Sequence, residues 1–125
     1  MADANRKKLQ ELRRQLARVF DRSPQGVYLY LDDHHTSFSK RLAKMLGYKT
    51  PRQVEAIGSY GFLQSLVAPK SRRAVVNAYQ HAALANVAST VKVSLLKKNG
   101  KSFATSVTFV PLPYKGEHFV LHFIK

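Results

Sequence analysis

The sequence predicts an α+β domain, a five-stranded antiparallel sheet with short helices on one face and an amphipathic helix ahead of it. Three observations predict it. Apolar and polar residues alternate through the last third of the chain, Val87 to Lys125, in three runs separated by turn residues. Two shorter apolar runs flank the polar segment Asp32-Asp33-His34-His35. Between these groups, apolar residues recur at helical spacing and are punctuated by Gly and Pro. At 125 residues, with no internal repeat and no low-complexity linker, the chain has the size of one domain.

From Asp3 to Phe20 the pattern is helical, with Leu9, Leu12, Leu16 and Val19 at the spacing of a two-heptad a/d seam. Such a seam pairs with a second chain or packs on the domain's own sheet; dimerisation is the expectation taken here. Arg6 and Arg13 fall at e and Lys8 at g without acidic partners, so like charges would flank a parallel dimer. The basic face would also suit anionic lipid or plain solvation. Residues 1–22 are read as this flanking helix and residues 23–125 as the domain that follows.

Ser23-Pro24-Gln25-Gly26 breaks the helix and starts a strand from Val27 to Leu31, apolar on both faces as in the middle of a sheet. Asp32 to His35 make a polar turn and Thr36-Ser37-Phe38 a short returning strand. Phe38, Leu42, Met45 and Leu46 recur at helical spacing, so Ser37 or Ser39 caps a short helix ending at Gly47. Thr50-Pro51-Arg52-Gln53 reads as a capping box with proline in the first turn, opening a brief helix that ends near Gly58. Phe62 to Val67 forms another apolar turn before Pro69. A longer helix from Ser71 to about Asn86 turns Val75, Val76, Tyr79, Ala82 and Ala83 to the core.

The meander follows. Val91 to Leu95 alternates, and Asn99-Gly100 predicts a two-residue type I′ turn. The next strand runs from Ser102 to Val110 and is expected to stop at Pro111-Leu112-Pro113, because proline lacks the ladder's donor. After Tyr114-Lys115-Gly116 a last strand places Phe119, Leu121 and Phe123 on one face and His118, Val120, His122 and Ile124 on the other. Both faces are partly apolar, so the preceding residues must supply cover.

The charge is unusual: 21 Lys and Arg against 7 Asp and Glu give a formal +14. That excess fits an anionic partner such as nucleic acid, or a solvated basic surface. The nucleic-acid reading draws on Arg13, Arg14, Lys40, Arg41, Lys44, Arg72 and Arg73, without a recognition-helix or RNA-binding motif. The lack of cysteine removes disulfides, thiolate nucleophiles and Cys-ligated zinc, and fits a reducing compartment. No apolar run approaches the ~18 residues of a membrane span, and the N-terminus is polar, so a soluble, cytoplasmic protein is expected.

Catalytic groups are not assembled. The sequence shows no nucleophile elbow, no paired carboxylates and no glycine-rich phosphate loop, so no enzyme is expected. Asp33 and His35 share a strand face, but two ligands do not make a zinc site, and His118 and His122 stand roughly 13 Å apart along a strand. A polar turn is expected there, with no metal.

Taken in order, the run from Ser23-Pro24-Gln25-Gly26 through Asp32-Asp33, the element Leu46-Gly47-Tyr48-Lys49-Thr50-Pro51, and Lys97-Lys98-Asn99-Gly100-Lys101 leading to Pro113-Tyr114-Lys115-Gly116 resemble a PAS domain. The resemblance covers residues 20–125, and the N-terminal helix is similar to the extension that often flanks this family. It implies a sensory module for signal transduction that binds a small ligand or a partner protein and homodimerises. It also implies an input role for a histidine kinase or transcription regulator, with the effector outside these residues. By the same resemblance Tyr28, Phe38, Met45, Phe62, Tyr79, Phe103 and Phe119 are candidates to line a ligand cavity, core filling being their other role. The ligand is left open. Covalent flavin and thioester chromophores, found elsewhere in the family, need a cysteine that this chain lacks. Some relatives hold haem through a histidine of the long helix; here His81 falls about 200° around the helix from Tyr79 and should face solvent, so haem is not expected.

Overall fold

The computed structural model describes residues 3–125. Its elements are α1 (Ala4–Gln15), α2 (Ala17–Arg22), β1 (Gly26–Asp32), β2 (His35–Phe38), α3 (Lys40–Met45), α4 (Pro51–Glu55), α5 (Phe62–Leu66), α6 (Arg72–Ala85), β3 (Ser89–Leu96), β4 (Ser102–Tyr114) and β5 (Glu117–Ile124). All strand pairs are antiparallel, in the order β2-β1-β5-β4-β3, so the chain's last strand sits at the centre beside its first. The α+β class and five-stranded sheet are those the sequence predicts.

Local chemistry sets the helix starts. The buried Ser39 hydroxyl accepts from the Leu42 N–H, capping α3, and from the Val27 N–H, which ties that cap to β1. Thr50 caps α4 by accepting from the Gln53 N–H, while the Gln53 amide oxygen accepts from Lys49. Asn86 ends α6 in the left-handed conformation, φ 58.

The sheet separates two apolar layers, as alternation along its strands requires. Leu42, Leu46, Val93, Phe109, Val120 and Ile124 belong to the layer under α3, α5 and α6. Val27, Leu29, Phe119 and Leu121 face the other way, onto Leu9, Leu12 and Phe20. The N-terminal helix therefore folds back on its own sheet. Leu9 and Leu12 are 3% and 4% exposed there, so that half of the expected dimer seam is already used within one chain. Leu16 and Val19 pack on the same layer but stay partly exposed. The helix also breaks at Leu16 into α1 and α2, where continuity was expected. An apolar sheet face without other cover takes the seam, since docking within a chain loses no translational freedom.

Two turn expectations are corrected. Asn99 has no positive φ: Gly100 N–H donates to Lys97 O and Lys97 N–H to Lys101 O, a three-residue loop in which Gly100 alone, at φ 84, is left-handed. The two-residue type I′ geometry lies instead at Lys115-Gly116, φ 47 and 83, between the paired Tyr114 and Glu117. Nor does β4 stop at its prolines. Counting back from that turn, Tyr114, Leu112 and Val110 bond β5, so Pro113 and Pro111 point their nitrogens the other way. On that side β3 pairs only as far as Ser89 with Phe109, and no ladder donor is missed.

Candidate ligand cavity

Strand register builds the site. Phe38 of β2 lies opposite Tyr28 of β1, Tyr28 opposite His122 of β5, and His122 opposite Phe109 of β4. Four rings thus form a row across the inner face. Tyr28 stacks on Phe38 with centroids 4.9 Å apart and on His122 at 3.8 Å, both nearly parallel, and Phe109 meets His122 at 4.8 Å and 63°. Neighbouring strands lie about 4.7–4.9 Å apart, which is why rings at facing positions reach stacking distance. Above the row, Leu42 of α3 and Leu46 just after it, Phe62 and Leu66 of α5, and Val75 and Tyr79 of α6 leave a cavity of about 330 Å³. Gln80, exposed on α6, marks its rim.

Few polar atoms reach this space. The Tyr30 hydroxyl donates to Asp33 Oδ1 at 2.7 Å and the Tyr79 hydroxyl to the Leu31 carbonyl at 3.2 Å. Tyr30 stands edge-on to Tyr79 at 5.3 Å. His122 is 2% exposed, and its Nδ1 lies 3.1 Å from the Val120 carbonyl oxygen. A carbonyl only accepts, so Nδ1 carries the proton and Nε2 is left as an acceptor. Burial pushes the imidazole pKa down to about 3, against the opposing pull of the Val120 and Tyr28 carbonyls. Burial likewise raises the phenol pKa of Tyr28 and of Tyr30, in Tyr30 aided by the Asp33 carboxylate.

Of the seven sequence candidates, Tyr28, Phe38, Phe62 and Tyr79 line the cavity. Met45, Phe103 and Phe119 do not. Met45 packs its sulfur by Gly26, where a Cβ would come within 3.1 Å of it. Phe103 lies beneath the Lys97 ammonium, 5.2 Å from the ring centre. Phe119 is buried in the opposite layer with Leu121. Tyr30, Phe109 and His122 were missed, although alternation already puts His122 on the face of Val120 and Ile124.

The other titratable cluster ties the N-terminal helix down. His35 Nδ1 lies 2.8 Å from Asp32 Oδ1 and Nε2 2.8 Å from Asp3 Oδ2, the carboxylate that caps α1, and Arg6 donates to the His34 carbonyl. Burial opposes protonation of His35, but the two carboxylates outweigh it and raise its pKa. His81 is exposed on α6, away from the cavity. Among the described residues no helix is long and apolar enough to cross a membrane.

No family model matches the sequence, and no curated protein matches it. Solved structures do match. A PAS domain from a two-component sensor histidine kinase is 14% identical over 93% of this chain and 97% of that one, with a TM-score of 0.65. The PAS domain of a protein from Colwellia psychrerythraea is 17% identical over 91% of this chain and 95% of that one, TM-score 0.69. An RNA-binding light-oxygen-voltage receptor is 21% identical over 81% of this chain and 28% of its own length, TM-score 0.56. At these identities the likeness carries the fold.

Proposed function

We propose that this chain, which has the PAS fold, is a sensory signalling module that holds a small molecule between the ring row of the sheet and α6. The cavity carries this reading: about 330 Å³ falls within the ~300–1,000 Å³ of ligand pockets, whereas ordinary interiors are close-packed. The sheet supplies a route outward. Tyr28 and His122 face the cavity, while their chain neighbours Leu29 and Leu121 hold α1 on the other side. A ligand would shift α1 only as far as it binds one arrangement better than another. The output is a partner or effector, as an input domain of a histidine kinase or transcription regulator would need. Homodimerisation belongs to the same proposal, through Leu16 and Val19, the part of the seam that stays partly exposed. Catalysis is not part of it. The flavin–cysteine adduct and the thioester chromophore linkage each need a thiol, which this chain lacks, and His81 is exposed on α6, outside the cavity wall. Native mass spectrometry of the protein purified without denaturation tests the reading: a retained small molecule is expected, and bare protein across several preparations counts against it.

The charge favours a second reading, a nucleic-acid surface. Residues 56–116 contain no Asp or Glu but eight Lys and Arg. The Lys98 N–H donates to the Leu46 carbonyl at 2.8 Å, and its ammonium lies 5.8 Å from the Tyr48 ring centre, which sets the loop that carries Lys97, Lys98 and Lys101 beside the Leu46–Tyr48 segment. Of the basic residues singled out in the sequence, three serve the fold: Arg13 lies on Phe20, Arg41 donates to Ser23 O and Arg72 to Val67 O. Single-stranded RNA affinity that falls steeply with salt is the expected result, and no binding at low salt rejects this reading.

A further inference from the structure

In a chain with 21 Lys and Arg, none lines the cavity among the described residues. Asp33 is the only carboxylate in its wall, and one of its oxygens already accepts from Tyr30. The Tyr79 hydroxyl proton is committed to Leu31. His122 Nδ1 donates to the Val120 carbonyl, the Tyr28 carbonyl also faces the ring, and no hydrogen bond of Nε2 is found among the described residues. What the inner wall offers is therefore acceptors, His122 Nε2 and the remaining Asp33 oxygen, while the Gln80 amide, which can also donate, stands at the exposed rim. Tyr28 is free to act either way.

We infer that the cavity takes a neutral, flat aromatic molecule carrying an N–H or O–H donor, and rejects carboxylates and phosphates; this rests on the sensory reading above. An anion would leave water for a site with no cation and one carboxylate, an uncompensated burial. A neutral donor instead pairs with a cavity-facing acceptor that makes no hydrogen bond among the described residues. Flatness follows from the walls: Phe38, Tyr28 and His122 stack on one another and so turn a row of ring edges to the cavity, and Tyr79 stands at 87° to Tyr30, so a flat ring laid on the row finds edge-on aromatic neighbours. Because burial holds the imidazole neutral, it stays an acceptor across pH 5–8.

Three probes of similar shape separate the requirements. Indole has the donor, indene lacks it, and indole-3-acetate adds a carboxylate. Calorimetric titration at pH 7 of protein stripped of any retained molecule by unfolding and refolding should show saturable binding of indole, about five- to tenfold weaker binding of indene, and none of indole-3-acetate. His122→Phe should bring indole down to the level of indene while leaving indene unchanged. If that variant does not fold, the indole-to-indene ratio on the wild-type chain carries the test alone. Equal affinity for indole and indene, or preference for indole-3-acetate, overturns the inference while the sensory reading stands. Binding of none of the three overturns the inference too, and it overturns the sensory reading as well only if native mass spectrometry finds no retained molecule.

Discussion

His122 makes the protein's stability depend on acid in a way that one substitution isolates. The ring lies in the inner face of the sheet, 2% exposed, and burial lowers its pKa from 6.5 to about 3. Between those values the unfolded chain binds a proton that the native chain refuses. Stability is therefore fully present above pH 6.5 and is lost as pH falls toward 3, at up to ~1.4 kcal/mol per pH unit. At pH 5 the loss relative to pH 7 amounts to about 2 kcal/mol. With unfolding entropy near 2.1 cal/mol/K per residue, 125 residues convert that loss to about 7 °C in Tm. His122→Phe removes the titration and keeps a ring between Tyr28 and Phe109, next to a cavity able to accept the larger side chain. Urea unfolding at pH 7 and pH 5 for both proteins gives the quantity directly, and the difference between their pH dependences cancels other titrating groups such as His35 and Glu55. Parallel dependences would mean that the imidazole is protonated in the native sheet, and the buried, acceptor-only ring would be wrong.

Leu12→Ala should cost about 2–5 kcal/mol of stability in a denaturant titration without altering the sedimentation coefficient, because Leu12 is buried against its own sheet; dissociation at unchanged stability would restore the interchain seam. Two glycines should respond for different reasons: Gly100→Ala meets open space at φ 84 and should lose about 1–2 kcal/mol to backbone strain alone. At Gly58 a Cβ would collide with the Asp33 carbonyl, and Gly58→Ala should cost about 1–3 kcal/mol or more, measured by the same titration. His35, its pKa raised by Asp3 and Asp32, contributes stability below its unfolded value that is lost as pH rises through the folded one. Amide exchange at the start of α1, corrected for intrinsic pH dependence, should therefore lose protection as pH rises from about 6 toward 8, and Asp3→Asn should flatten that change.

Much of this fold is written in local pattern. Alternation along Glu117 to Lys125 assigns each side chain to its layer, and Ser39 and the Thr50-Pro51-Gln53 group announce their helices because capping is chemistry within four residues. The misreadings involve what lies beside a segment. Pro111 and Pro113 look like strand breakers until β3 is known to end at Ser89, so that their nitrogens face no ladder. The seam of Leu9, Leu12, Leu16 and Val19 has the same spacing whether it meets a second chain or a sheet, and only the apolar outer face of β1 and β5 decides between them. The cavity is harder still. Phe119 and Phe109 are both phenylalanines of alternating strands, but Phe109 enters the ring row because the register sets it opposite His122. Register across three strands is not visible in any one of them.

The most direct test of a ligand-holding inner face is the methyl NMR spectrum of Leu and Val residues, recorded on protein purified without denaturation and again after unfolding and refolding to strip bound molecules. The two layers of the sheet serve as site and control. Signals of Leu46, Val75 and Val93, which line the cavity, should move between the two samples, while those of Leu9 and Leu12 beyond the sheet move far less. Superimposable spectra, together with no response of the stripped protein to any neutral aromatic probe, would show an inner layer that holds nothing.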